Sequence, residues 1–412
     1  MKNFVNIKNI YGILDSNVMR LSGTEMNKVE TISDAYMKIE NGRIIEFGDM
    51  ANWMQNSAPT IDLNGKSVLP CYADSHTHIV FAEPREHEFE LKIQGKTYEE
   101  IAAAGGGILN SAAKLGETSE EKLLQSATQR VQQVMRMGTG ALEIKSGYGL
   151  TIDAELKMLR VIQKLYENFP IPIKASFLGA HAIPAIYKSN PKDYIDKVIY
   201  PCIEVVAKEE LAEFIDIFIE KNYFSLEDAS RILDYSDKYG LKPKLHVNQL
   251  SNMGALQLAV DRGALSVDHL EEMSQVEIDY LKNKTTIGTL LPSCSFFIKI
   301  PYAPARQMID SGLAIALASD YNPGSTPSGN MNFVLSLACI YQKLTPTEAF
   351  NAATINGAYA MDLSHELGSI SIGKRANFFT SSEINSLASI PYNFGRSMID
   401  EVYINGERFR LH

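Results

Sequence analysis

Apolar positions along this chain change their period twice. From residue 1 to about 66, short alternating runs (Phe4 to Ile13, Ala35 to Glu40, Arg43 to Phe47) are punctuated by Asn41-Gly42 and Asn64-Gly65. Alternation broken by Asn-Gly predicts hairpins, and so a small β unit. After the run Ser67-Val68-Leu69-Pro70-Cys71-Tyr72-Ala73 the rhythm becomes strand, loop, helix, repeated. Beyond about 368 the β pattern returns in Gly368 to Gly373, Ile399 to Ile404, Asn405-Gly406 and Arg408 to Leu411. The two ends resemble each other and not the middle. Residues 1–66 and 369–412 are therefore expected to assemble one composite β-sandwich domain, with residues 67–368 inserted between them.

In the middle segment Ser119 is placed to cap a helix through Met137, with Leu124, Ala127, Val131 and Val134 along one face and Gly138 just past its end. Helical spacing also covers Glu155 to Asn168, Ile195 to Lys208, Gly254 to Arg262 and Ala305 to Ser311. Ser225 with Asp228, opening a helix to Tyr239, and Ser274 with Glu277 read as capping boxes. Strands are expected in the run leading to His76, then at Ala141 to Ile144, Ile171 to Phe177, Phe214 to Ile219, Lys242 to Val247, Leu265 to Val267, Thr285 to Leu290 and Ala314 to Ala318. Eight strands, nearly all followed by helices, over roughly 300 residues predict an α/β fold of the (β/α)₈ TIM-like barrel kind. A doubly wound open sheet is the runner-up.

Composition narrows the function. The 412 residues are 45% apolar, enough for a sizeable core, and the net charge of −10 leaves no basic stripe for nucleic acid. Cys71, Cys202, Cys294 and Cys339 form no close pair, which argues against a disulfide framework or a cysteine zinc site and fits a reducing compartment. No run of eighteen apolar residues suggests a membrane span, and the amino terminus lacks a leader-like apolar core. A cytoplasmic enzyme or scaffold is the expectation.

Barrels of this kind carry their chemistry at the carboxyl ends of the strands. The polar residues there are His76 and His78 on the first strand, His181 after the third, Glu220 after the fourth, His246 on the fifth, His269 on the sixth and Asp320 on the eighth. In the extended stretch Asp74-Ser75-His76-Thr77-His78 the first, third and fifth side chains share a face. Singly, each of these has an ordinary use as a cap, turn or core residue. Together, three imidazoles and a carboxylate make a ligand set suited to zinc or ferrous iron with a position left for water. A cation there lowers that water's pKa toward about 7, giving hydroxide, and Asp320 is placed to take or return the proton. Hydrolysis is the implied reaction.

Aligned this way, the chain resembles the metal-dependent amidohydrolase superfamily over essentially its whole length. The resemblance implies one divalent metal, zinc or iron, on His76, His78, His246 and Asp320. The fourth-strand lysine that bridges two metals in binuclear members is replaced by Glu220, and a glycine common three residues before Asp74 is Cys71. Phe81-Ala82-Glu83-Pro84-Arg85, Glu143 to Leu150, Phe177 to His181 and Ala318 to Ser325 look like one branch of that superfamily, implying cleavage of a ring amide in a small substrate bearing a propionate.

Arg85 offers a carboxylate a bidentate fork. By the resemblance Tyr148, His181, Gln249, Asn322, Gly324 and Ser325 complete the pocket, Tyr148 and His181 being able to hydrogen-bond the ring or polarise its carbonyl. Gln249 stands where some members carry an acid/base glutamate, so proton traffic falls to Asp320, helped by His269. Asp74 is expected to orient an imidazole from behind. A homodimer is expected from the family. A related amidohydrolase or deaminase acting on another cyclic amide or amidine, and an inactive scaffold, are the competing readings.

Overall fold

A computed structural model describes residues 1–96, Glu100 and 106–410. The terminal segments form one mixed sheet in the order Glu407–Arg408, Glu401–Ile404, Phe378–Ser381, Ser67–Pro70, Lys2–Ile13, Glu30–Glu40 and Arg43–Asp49, with Thr60–Asp62 also beside Lys2–Ile13. Asn41 and Gly42 have φ of 49° and 77°, and Asn405 and Gly406 have 52° and 73°. Those are the left-handed pairs that two-residue hairpins require. Phe4 and Tyr403 sit three strands apart, about 14 Å in a flat sheet, yet their ring centroids are 5.3 Å apart. The sheet therefore bends over a core of Phe4, Ile7, Ile10, Met37, Ile39, Phe378 and Tyr403. The facing layers of the expected sandwich are halves of one sheet.

One expected boundary moves. Ser67–Pro70, read as the start of the barrel, pairs with Phe378–Ser381 and touches Lys2–Ile13 at Ile10. Pro70 has no N–H to carry a ladder onward, and the barrel begins at Tyr72. The strand expected over Arg408 to Leu411 appears as Glu407–Arg408, and Leu411 lies outside the described residues.

Eight parallel barrel strands follow in sequence order: Tyr72–Thr77, Thr139–Lys145, Ile173–Ala180, Phe214–Ile219, Lys242–Val247, Ser266–His269, Ile287–Leu290 and Ile315–Leu317. Past Leu317 the chain runs back onto the first strand. Asp320 N–H donates to the His76 carbonyl at 3.0 Å, and His78 N–H to the Tyr321 carbonyl at 2.8 Å. These bonds close the barrel at its rim.

Both capping boxes form, on Ser225 and Ser274, and Ser119 caps Glu120–Arg136 through Lys122 N–H. On that helix Leu123, not Leu124, is fully buried. The helix expected over Ile195 to Lys208 is instead a π turn, Ile195–Ile199, leading into Tyr200–Lys208. Pro201, without an N–H, interrupts the regular ladder at that junction. Among the helices with no sequence expectation are Met331–Gln342, Pro346–Ala353 and Ile355–Tyr359. Most of their side chains are buried, so no polar stripe marks their period. The last lies against the first barrel strand, where a Cβ on Gly357 would meet the Ala73 carbonyl oxygen at 2.3 Å.

Candidate active site and metal centre

The first barrel strand presents His76 and His78 with their Nε2 atoms 3.3 Å apart. Asp320 Oδ1 lies 3.6 Å from each of them. His246 joins from the fifth strand, its ring centroid 4.4 Å from that of His76, and His269 from the sixth, 5.3 Å from His246. Candidate ligand atoms of His76, His78 and Asp320 fall within 4.8 Å of one another, as do those of His76, His246 and His269. Asp320 and His269 have φ of 54° and 88°, conformations a non-glycine residue holds only where its surroundings enforce them.

The donor set fits a cation. Burial, then the positive charge of Lys145 and of neighbouring histidines, pushes His76 and His246 well below the ordinary imidazole range. Burial does the same for His78, with His181 and His246 adding to it. Neutral imidazoles each offer a ring-nitrogen lone pair, and several of them gathered beside a carboxylate make the donor set a metal takes. Among the described residues, His78 Nδ1 is buried with no hydrogen-bond partner.

Behind the imidazoles stands a charged floor that the sequence pattern did not expose. Asp268 Oδ2 lies 2.6 Å from His76 Nδ1, and Asp216 Oδ2 lies 2.9 Å from His246 Nδ1. Lys145 Nζ lies 2.8 Å from Asp216, 2.6 Å from Glu143 and 3.6 Å from Asp268, while Lys244 reaches Glu143 at 2.8 Å. All five charged groups are buried. A detectable signal existed: charges at every second position of otherwise apolar parallel strands, as in Glu143 and Lys145, have no place in a dry barrel core.

Asp74, expected behind an imidazole, instead accepts from the Ser319 N–H at 2.9 Å and the Ser319 hydroxyl at 2.5 Å. It braces the eighth strand, and Asp268 does the work assigned to it. Glu220 accepts from Leu250 N–H at 2.9 Å and Ser251 N–H at 3.1 Å, anchoring the loop that carries Gln249. Cys71 fits because its neighbour is a glycine: a Cβ on Gly140 would lie 2.4 Å from that of Cys71.

His78, Arg85, Tyr148, His181, His246, Gln249, His269, Asp320, Asn322, Gly324 and Ser325 line one cavity of about 340 Å³. His76 lies fully buried against it. Arg85 donates through Nε to Ser111 at 2.8 Å, and its guanidinium carbon sits 5.8 Å from the Tyr148 ring centre. Gly324 leaves room for it, since a Cβ there would meet Arg85 Nη1 at 2.6 Å. Gln249 donates to Cys294 Sγ at 3.5 Å.

Asn322 is engaged by its own loop. It accepts from Gly324 and Ser325 N–H at 2.8 and 2.7 Å, and donates to the Asp320 carbonyl and Ser325 Oγ at 2.7 Å each. Ser325 in turn donates to Asp320 Oδ2 at 3.2 Å. Burial pushes the Asp320 carboxyl up to about 6, against the opposing pull of His269 and of hydrogen bonds from Asn322, Cys294 and Ser325. Burial pulls the His269 imidazole down, but Glu271, Asp320 and Asp268 outweigh it and leave the group above its usual value.

Fold and site together define a metal-dependent hydrolase of the barrel type, and the comparisons agree. The profile of the Amidohydrolase family matches residues 67–409. Solved structures of the same fold include guanine deaminase from E. coli (TM-score 0.73, 14% identity, covering 100% of this chain and 99% of that one). Another is an adenosine deaminase from Xanthomonas campestris with bound zinc (0.70, 15%, 99% and 92%).

The sequence is 56% identical to an imidazolonepropionase from Christiangramia forsetii and 53% identical to one from Flavobacterium johnsoniae, in each case over 98% of both chains. The chain belongs to the amidohydrolase family and, within it, to the imidazolonepropionases.

Proposed function

We propose that the chain hydrolyses the ring amide of 4-imidazolone-5-propanoate, giving N-formimidoyl-L-glutamate in histidine degradation. The observation that carries the reading is that Arg85, a fork for a propionate, opens into the same cavity as His78, His246, His269 and Asp320. The relatives' shared name over the full length supports the same substrate.

His76, His78, His246 and Asp320 would hold one divalent ion, zinc or iron. Such an ion supplies Lewis acidity that lowers the pKa of a water toward about 7. Asp320 takes the proton from the attacking water at its carboxylate, its orientation set by Ser325 and Asn322. His269, kept above its ordinary pKa by Glu271 and Asp320 despite burial, helps deliver a proton to the departing ring nitrogen. Arg85 holds the propionate, Tyr148 packs beside the ring, and His181 faces it from the third strand. Gln249 orients substrate or water, because a carboxamide does not titrate. A homodimer is part of the proposal, supported by the exposed aromatic and aliphatic surface at Phe296, Ile340, Tyr341 and Phe394.

Loss of ring absorbance from 4-imidazolone-5-propanoate, abolished by chelator and restored by one equivalent of metal, is the expected result. Absence of turnover by the metal-loaded protein would overturn the reading.

A further inference from the structure

Tyr148 and His181 lie in different strand-end loops, and a single buried carboxylate joins them. Glu155 stands in the first turn of Ile152–Asn168, where Thr151 already caps the helix through Ala154 N–H. Its side chain turns back on the preceding loop. Oε1 accepts from Gly149 N–H at 2.7 Å and Leu150 N–H at 3.0 Å, and Oε2 accepts from Gly147 N–H at 3.0 Å. The Ser146 hydroxyl bonds it as well, while Ser146 Oγ accepts from Leu178 N–H at 3.0 Å on the third strand.

The loop is shaped for this grip. Gly147 has φ +106°, and a Cβ on Gly149 would strike the Glu155 backbone nitrogen at 2.3 Å. The grip has two outputs. Tyr148, between the two glycines, is 4% exposed and sets its ring 5.5 Å from that of His181 and 5.9 Å from that of His78. The Gly147 carbonyl lies 3.0 Å from His181 Nδ1. A carbonyl only accepts, so the proton of a neutral His181 is on Nδ1, and Nε2 is left as an acceptor.

We infer that Glu155 is a positioning residue for the reaction: by gathering three N–H groups of the Gly147-to-Leu150 loop it fixes the Tyr148 ring and, through the Gly147 carbonyl, holds His181 as the Nδ1–H tautomer that accepts from a ring N–H of the substrate. Of the two parts expected of His181, hydrogen-bonding the ring and polarising its carbonyl, this selects the first. The inference rests on the proposed placement of the substrate beside Tyr148 and His181.

Glu155→Gln keeps the shape but turns an amide N–H toward donors. The expected result is a fall in kcat/KM of about a hundredfold, with metal content unchanged and the Nδ1–H signature of His181 lost from the ¹⁵N spectrum of histidine-labelled enzyme. Glu155→Asp, which keeps the charge one methylene short, is expected to fold and to lower kcat/KM in the same direction; it answers the question if the amide variant does not fold. Unchanged kcat/KM and an unchanged His181 spectrum in the folded variant would overturn the inference, as would a loss of thermal stability alone. Tyr148→Ala and His181→Gln separate the two claims. If they leave the rate intact, the placement of the substrate fails and this inference with it; if they reduce it and the Glu155 variants do not, this inference alone fails.

Discussion

Asp268 and Asp216 face the outer nitrogens of His76 and His246, so each fixes a ring and directs its other nitrogen toward the proposed ion. Orienting carboxylates of this kind are worth about 10- to 100-fold in metal affinity. Asp268→Asn and Asp216→Asn should each weaken binding by that order, read as the free-metal concentration at half occupancy. Affinity unchanged in both would show that the imidazoles are held by packing alone. Arg85 acts on a different quantity. A charged hydrogen-bond pair contributes about 1.5–3 kcal/mol, so Arg85→Ala should raise KM for the propionate substrate by about 10- to 100-fold while kcat changes much less. An analogue lacking the carboxylate should show no such difference between variant and parent.

At the scale of elements, the Cys71 side chain and the gap left by Gly140 belong together, one on the step into the first barrel strand and the other on the second. Gly140→Ala should destabilise by about 1–3 kcal/mol through overpacking, and Cys71→Gly should relieve much of that loss. A urea double-mutant cycle reads the coupling, and strict additivity would refute it.

The loop after Leu367 offers a pH test. Burial pulls the Lys374 ammonium down to about 8, with Nζ donating to Ser369 Oγ at 2.8 Å. A folded-state pKa below the unfolded value means that the unfolded chain binds more protons between pH 8 and 10.5. The native state therefore gains stability as pH rises through that window, by at most about 1.4 kcal/mol per unit. The stability of Lys374→Met relative to the parent should fall over the same range. A flat difference would place the amine in water.

Capping boxes, the hairpins at Asn41-Gly42 and Asn405-Gly406 and strand-end histidines were legible in the chain because each depends on neighbours within a few residues, whereas Asn64-Gly65 turns between two strands that both run parallel to Lys2–Ile13 and makes no hairpin. Asp268, Asp216 and Glu155 were not, because their partners lie on other strands or in a loop whose shape no local period encodes. Met331–Gln342 was hidden for the opposite reason: packed on nearly all sides, it shows no polar stripe.

For the whole molecule, an ion held by the proposed ligands at the ends of the first and eighth strands would tie the barrel's closing edge together. An ion at a hundredfold excess over its Kd should stabilise the native state by about 2.7 kcal/mol. Chelation should lower the urea midpoint accordingly and speed hydrogen exchange first at the amides of His78 and Asp320, which pair across that edge. Uniform acceleration throughout the barrel would contradict this.

The same closing edge sets an order of events during synthesis. His78 and Tyr321 meet only after the intervening chain has been made, and pairings this distant in sequence are slow to form. Neither the full proposed ligand set nor the rim exists until the eighth strand and Asp320 have left the ribosome. A nascent chain halted before Ile315 should thus collapse around seven strands without retaining metal, and the last stretch of the barrel to be synthesised is the one that completes the proposed ligand set.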